Sequence, residues 1–194
     1  MKTLELFFDL SSPYSYLAAT QVEAMARRAG AIVQWKPMVL SAVFKAANNV
    51  MPAHSPPKAK WMFSDLDRWA REYGVPFKMS RHFPANTIKA MRLVLFGETK
   101  GKAGEVALAA FRAMWVDDLD LAQESVLRDV AHSCGLDPDQ ALAQIETPQI
   151  KDQLRAFTEE ACRRGAFGAP AMFVGDELFW GNDRLHRVEL ALKG

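Results

Sequence analysis

No Cys-x-x-Cys pair occurs anywhere in the chain, and its two cysteines, Cys134 and Cys162, stand 28 residues apart on segments that read as different helices. Disulfide exchange needs a sulfur at each end, so a dithiol redox site is not expected. The two thiols read as half-buried side chains in a reducing compartment rather than as a structural bridge. The histidines, His54, His82, His132 and His186, show no zinc-type spacing with one another or with the cysteines, so no metal is expected. Neither sign of charge is in excess: 24 Lys and Arg face 23 Asp and Glu. That balance supplies no global field to draw the protein to nucleic acid or to an anionic membrane. No apolar run reaches the length of a bilayer span. The stretch Met1–Leu10 lacks the basic start, apolar run and small-residue cleavage site of a secretory signal, and a cytoplasmic location is expected.

What the chain does have is apolar content, 49% over 194 residues, enough to bury a core in one compact body. Leu4, Leu6, Phe8 and Leu10 alternate with Thr3, Glu5, Phe7 and Asp9, the period of a strand. The loop Ser11-Ser12-Pro13-Tyr14 opens a helix over Ser15–Ala29, which Gly30 ends with a left-handed stop. Ile32, Val33 and Trp35 form a second strand, whose natural pairing with the first is parallel. From Leu40 to Arg164 the periodicity is helical throughout. Lys58–Tyr73 stops at Gly74, and Thr87–Phe96 and Glu105–Val116 follow. Asp137-Pro138 and Thr147-Pro148 each set a capping side chain before a proline at the first helical position. Strands return at Ala171–Val174 and Glu177–Trp180 around Gly175-Asp176, as in a tight hairpin, and a last helix covers about Arg184–Leu192.

The order strand, helix, strand, helical block, strand, strand, helix is that of an α/β thioredoxin-like fold with a large all-helical insertion. Residues 1–39 and 166–194 would form the thioredoxin-like part and residues 40–165 the insertion. Helical spacing assigns Trp61, Trp69 and Trp115 to core packing.

Three segments bear on chemistry. Ser12-Pro13-Tyr14-Ser15 occupies the loop from strand to helix, where free N–H groups and the helix dipole stabilise an anion. A hydroxyl there cannot exchange disulfides, but it can donate to a thiolate that arrives with a ligand; the plain alternative is a helix N-cap. Gly168-Ala169-Pro170 precedes a strand, where this fold places a cis proline that turns the backbone of Ala169 toward the active loop, able to pair with an extended tripeptide. The alternative is a simple strand-entry proline. Trp180-Gly181-Asn182-Asp183-Arg184 opens the last helix, with Asn182 or Asp183 as its cap. Such a turn suits the carboxylate of a γ-glutamyl group, with Asp183 facing its ammonium.

Together these segments resemble those of the 2-hydroxychromene-2-carboxylate isomerases and the related kappa-class glutathione transferases, within the wider disulfide-oxidoreductase-like family. The likeness spans essentially the whole chain. It rests on Phe8-Asp9, Ser12 to Leu17, Phe83-Pro84-Ala85-Asn86, Gly168-Ala169-Pro170 with Phe173, and Trp180 to Arg184; Tyr16 and the Trp-Gly-Asn-Asp-Arg ending are nearer the isomerases. The resemblance implies that glutathione is the cofactor and that Ser12 holds its sulfur as the catalytic residue. It also implies that Ala169 and Pro170 meet the glutathione backbone and that Trp180, Gly181, Asn182 and Asp183 take its γ-glutamyl end. Asn49, His54, Asn86 and Phe83 are then the candidates for lining an aromatic pocket, with Lys45 and Lys58 near its mouth. His54 and Ser55 stand where naphthalene-pathway isomerases carry an asparagine and an arginine. The implied reaction, in aromatic catabolism such as naphthalene degradation, interconverts 2-hydroxychromene-2-carboxylate and trans-o-hydroxybenzylidenepyruvate or a close analogue. The substrate is then a small aromatic molecule bearing a pyruvate or carboxylate group, and the assembly a homodimer. Two alternatives stay open: a kappa-class-like transferase that leaves glutathione on an electrophile, and a glutathione-binding module without turnover.

Overall fold

The computed structural model describes all 194 residues, apart from the side chain of Pro52. Its elements are β1 (Thr3–Phe8), α1 (Pro13–Arg28), β2 (Ile32–Pro37), α2 (Leu40–Ala46), α3 (Pro56–Tyr73), α4 (Ile88–Glu98), α5 (Ala103–Trp115), α6 (Glu124–Ser133), α7 (Pro138–Gln144), α8 (Pro148–Arg163), β3 (Ala171–Val174), β4 (Glu177–Trp180) and α9 (Leu185–Lys193). Single 3-10 turns lie at Pro52–His54 and Asn182–Arg184. The strands form one mixed sheet in the order β2-β1-β3-β4. β1 runs parallel to β2, with Leu6 opposite Trp35, and antiparallel to β3, with Leu6 opposite Met172. This is the expected thioredoxin-like arrangement, with the helices from α2 to α8 inserted between β2 and β3.

Strand alternation in β1 sorts its side chains between two apolar layers. Leu4, Leu6 and Phe8 join Leu17 and Val22 of α1 and Phe111 and Trp115 of α5 in the main core, whereas Phe7 packs with Phe173, Met38 and Ala161 on the other face. A sheet covered on both faces has no solvated side, which is why β1 ends on apolar residues of both faces, Leu6, Phe7 and Phe8. The helical block shares the main core: Met62 and Leu66 of α3, Leu93 of α4 and Leu127 of α6 belong to the same cluster as Leu4 and Leu6.

Beneath Phe7 lies a half-buried ionic cluster that fixes α8 to the sheet. Lys36 Nζ reaches Glu5 at 2.5 Å and Glu160 at 2.8 Å, and Arg164 Nη1 reaches the same two carboxylates at 2.7 and 3.2 Å. The Arg164 guanidinium lies 3.9 Å from the ring centre of Phe173. Burial raises the Glu5 pKa, but the two cations together outweigh it and hold Glu5 below the usual carboxylate range. With α8 held in this way, the chain after Arg164 enters β3 through Phe167–Pro170 at a fixed point on the sheet.

Helix ends follow the local chemistry, with some departures. Gly30, Gly74, Gly135 and Gly165 adopt positive φ at the stops read from the sequence, and Asp137 accepts the Gln140 N–H at 2.7 Å. α3 starts at Pro56, two residues before the expected Lys58, because proline is tolerated in a first helical turn. Thr147 precedes its helix as expected, yet its hydroxyl donates back to the Gln144 carbonyl at 2.7 Å instead of capping α8. Trp115 is fully buried and Trp69 half-buried, but Trp61 is 61% exposed. The inward face of α3 runs through Met62, Leu66 and Ala70, and Trp61 stands about 100° around the helix from Met62.

Candidate active site at the carboxyl edge of the sheet

The loop after β1 turns sharply, with the Ser12 N–H on the Asp9 carbonyl at 3.0 Å, so that Ser12 becomes the N-cap of α1 and Pro13 its first residue. Ser12 Oγ accepts the Ser15 N–H at 3.1 Å and donates to the Ala169 carbonyl at 3.4 Å. The helix cap of the sequence reading is therefore present, and the capping hydroxyl still has a proton to give. The donated bond is long, so the proton is only weakly engaged. Accepting a backbone N–H at the positive end of α1 also makes that hydroxyl a better donor. Ser15 Oγ, in the first turn of α1, is buried and has no hydrogen-bond partner among the described residues.

Across the loop the Ala169–Pro170 bond is cis, as the sequence position leads one to expect, and so is Phe83–Pro84, which carried no distinguishing signal. Ala169 turns its carbonyl to Ser12, and among the described residues its N–H donates to nothing. The Pro170 carbonyl accepts the Gly181 N–H at 3.1 Å, which brings the Trp180–Asp183 turn beside the cis bond. Gly181 has φ +94, and a Cβ there would stand 2.5 Å from Asp183 Oδ1; a Cβ on Gly168 would meet the Trp180 indole nitrogen, also at 2.5 Å. Trp180 is half exposed, with its ring 4.9 Å from that of Phe167.

Asn182 and Asp183 do not cap the last helix. α9 starts at Leu185 with no side-chain cap among the described residues, because the chain first makes a 3-10 turn that buries Asn182 against Tyr73. The Tyr73 hydroxyl donates to the Asn182 carbonyl at 3.0 Å, and the Asn182 amide nitrogen lies 3.3 Å from that hydroxyl. Tyr14 donates to Asp65 at 3.0 Å. Burial, reinforced by Asp65 and then Asp183, pushes the Tyr14 pKa far up, and burial does the same in lesser degree for Tyr73. Both phenols stay protonated donors.

The aromatic candidates divide. Asn49 donates to the Phe167 carbonyl at 2.9 Å, tying the end of α2 to the loop before Ala169. Phe83 is half-buried, its ring centre 5.9 Å from that of Trp115. Asn86 is exposed and accepts the Ile88 N–H at 3.2 Å, so it shapes the start of α4. His54 is exposed in its 3-10 turn, and among the described residues no hydrogen bond joins its ring to the others. Lys45 and Lys58 are exposed. Cys134 is buried, and burial pushes its thiol up, away from reactivity; Cys162 is half-buried, and both are free.

One charged group at the site belongs to the Phe8-Asp9 pair of the resemblance, which assigns it no role. Asp9 is 4% exposed and receives four hydrogen bonds, all from neutral donors. A carboxylate directly after the apolar run Leu6-Phe7-Phe8 is the cue available.

The residues fit a thiol ligand: a weakly engaged hydroxyl at a helix start, a free N–H on Ala169, and no competing cysteine in the loop. A DSBA-like thioredoxin domain model matches residues 3–193. The chain is 35% identical to a 2-hydroxychromene-2-carboxylate isomerase of Sphingobium xenophagum, over 97% of this chain and 96% of that one. It is 27% identical to human glutathione S-transferase kappa 1, over 95% and 88% respectively. A solved 2-hydroxychromene-2-carboxylate isomerase superposes with a TM-score of 0.90 at 28% identity, over 98% of this chain and 94% of that one. The chain thus belongs to the DSBA-like thioredoxin-domain family and, within it, to the 2-hydroxychromene-2-carboxylate isomerases.

Proposed function

We propose that the chain is a glutathione-dependent isomerase that interconverts 2-hydroxychromene-2-carboxylate and trans-o-hydroxybenzylidenepyruvate, or a close aromatic analogue. Relatives named for this reaction match over nearly the full length of the chain. The observation that carries the role of a borrowed thiol is Ser12, whose hydroxyl proton rests on a 3.4 Å contact at the start of α1, where a redox relative would need a cysteine.

Glutathione, when bound, supplies a thiolate able to add to a conjugated carbon and to leave it again. Ser12 donates its hydroxyl proton toward that sulfur, and the first turn of α1 adds its N–H groups and dipole. Each unit by which they lower the thiol pKa is worth about 1.4 kcal/mol. Ala169 offers its free N–H to the tripeptide backbone next to Pro170. Gly181 lets the turn from Trp180 to Asp183 approach the γ-glutamyl end, with Asp183 toward its ammonium. Asn49, His54, Asn86 and Phe83 line the aromatic side, and Lys45 and Lys58 attract the substrate carboxylate. A cytoplasmic homodimer completes the reading, on family likeness.

A second reading, conjugation of glutathione to an electrophile, is favoured by the kappa-class relatives. The deciding experiment follows the chromene isomerisation by absorbance with and without glutathione, beside conjugation of a halonitrobenzene. The isomerase reading expects a rate that saturates with glutathione while glutathione is recovered unchanged. Vigorous conjugation without isomerisation would transfer the assignment to the transferases, and binding without any rate would leave only a glutathione-binding module.

A further inference from the structure

Asp9 sits where three helices begin. Its Oδ1 accepts the Ser11 N–H at 2.9 Å, the Ser11 hydroxyl at 2.9 Å and the Thr87 hydroxyl at 2.7 Å, and its Oδ2 accepts the Leu40 N–H at 2.9 Å. Ser11 immediately precedes the N-cap of α1, Leu40 is the first residue of α2, and Thr87 is the N-cap of α4. No cation pairs with this carboxylate among the described residues. Its charge is met by hydrogen bonds and by the positive ends of the helices that converge on it. Thr87 is itself buried, 3% exposed, and gives its hydroxyl proton to Asp9; with φ −105 and ψ 4 it makes no side-chain cap to α4 among the described residues.

Each tie leads directly to a segment of the site. Ser11 is bonded to Ser12, Thr87 follows Asn86 and closes the run from Phe83, and α2 leads on to Asn49. The Ser12 loop joins β1 to α1, whereas Phe83 and Asn86 precede α4 within the helical insertion. We propose that Asp9, acting through Thr87, is a positioning residue that sets the aromatic-substrate side of the site at a fixed distance from the sulfur held at Ser12. The inference rests on the isomerase reading for its kinetic consequence, but not for its mechanical one.

The test uses Thr87→Val, which keeps the shape of the side chain and removes its proton, with Thr87→Ser as the conservative control. At saturating glutathione, kcat/KM for 2-hydroxychromene-2-carboxylate should fall about tenfold in Thr87→Val, the effect of one hydrogen bond to a charged acceptor. Glutathione affinity by calorimetry should stay within about twofold, because Asp9 keeps its other donors and the Ser12 loop. Amide exchange in the first turn of α4 should speed up, while the first turn of α1 stays protected. Thr87→Ser should restore all three. An equal loss of glutathione affinity, an unchanged kcat/KM, or failure of the serine variant to restore the wild-type pattern would overturn the proposal. If wild-type protein neither binds glutathione nor isomerises the chromene, the functional reading fails by itself, and the exchange pattern of Thr87→Val still decides whether Asp9 couples the two helices. Asp9→Asn puts an amide donor against existing donors and should give a larger loss; if it does not fold, Thr87→Val carries the decision.

Discussion

Replacing Ser12 separates two jobs held by one hydroxyl. As the N-cap of α1 it accepts the Ser15 N–H at 3.1 Å, and losing a serine cap to alanine costs about 1 kcal/mol of stability, whereas glycine costs only a few tenths. As donor to a bound thiolate it makes a hydrogen bond to a charge, worth about 1.5–3 kcal/mol, or roughly tenfold to more than a hundredfold in rate. The Ala169 contact at 3.4 Å adds little that must be broken first. Ser12→Ala and Ser12→Gly should therefore differ in thermal stability but share the same loss of kcat/KM. The assay is glutathione-dependent isomerisation at neutral pH beside thermal unfolding of each variant without ligand. An alanine variant with wild-type turnover would refute the reasoning. So would a glycine variant that kept its activity along with its stability, since the hydroxyl would then act only through the helix cap.

Three further outcomes follow from the geometry. Gly181→Ala must place a Cβ at φ +94 and 2.5 Å from Asp183 Oδ1, so calorimetry should show weaker glutathione binding and melting should show a loss of about 1–3 kcal/mol; unchanged affinity would separate this turn from the γ-glutamyl group. Lys36→Met leaves Arg164 alone to pair with both Glu5 and Glu160 and should cost about 1–3 kcal/mol in denaturant unfolding, part of which a second change, Glu160→Gln, recovers; a neutral single variant would mean the Lys36 arm of the cluster does not anchor α8. Arg28, and then Lys193, hold Glu189 down at about 2 from an ordinary value of 4.5. A depressed carboxyl stabilises the fold above its unfolded pKa and loses that contribution as pH falls through the folded one. The melting difference between wild type and Glu189→Gln should accordingly be full at pH 7 and close between 4.5 and about 2, and a gap that persists below that window contradicts the ion-pair account.

Where the chain enforces its geometry within a few residues, the fold could be read directly. Alternation in β1, the left-handed glycines at 30 and 74, the Gly175 hairpin and the Asp137 cap each depend on neighbours close in sequence. The helix cap at Ser12, the cis bond after Ala169 and the close approach at Gly181 were legible for the same reason, each being tied to a turn with a strict backbone requirement. Features set by distant partners could not. Asn182 looks like a helix cap until Tyr73, 109 residues away, takes it as a buried partner. Trp61 shares helical spacing with core residues, yet lies one residue off the inward face of α3. Asp9 and Thr87 meet across 78 residues, and nothing near either of them announces the other.

The most direct measurement is a titration of the glutathione thiol on the wild-type protein, followed by thiolate absorbance as a difference against S-methylglutathione. A free thiol ionises near 8.5. The account predicts that the bound sulfur ionises well below this, and that Ser12→Ala moves it back up by about one to two units. A bound thiol that titrates at the ordinary value, or one whose depression is indifferent to Ser12, would contradict the claim that this hydroxyl and the start of α1 hold a thiolate.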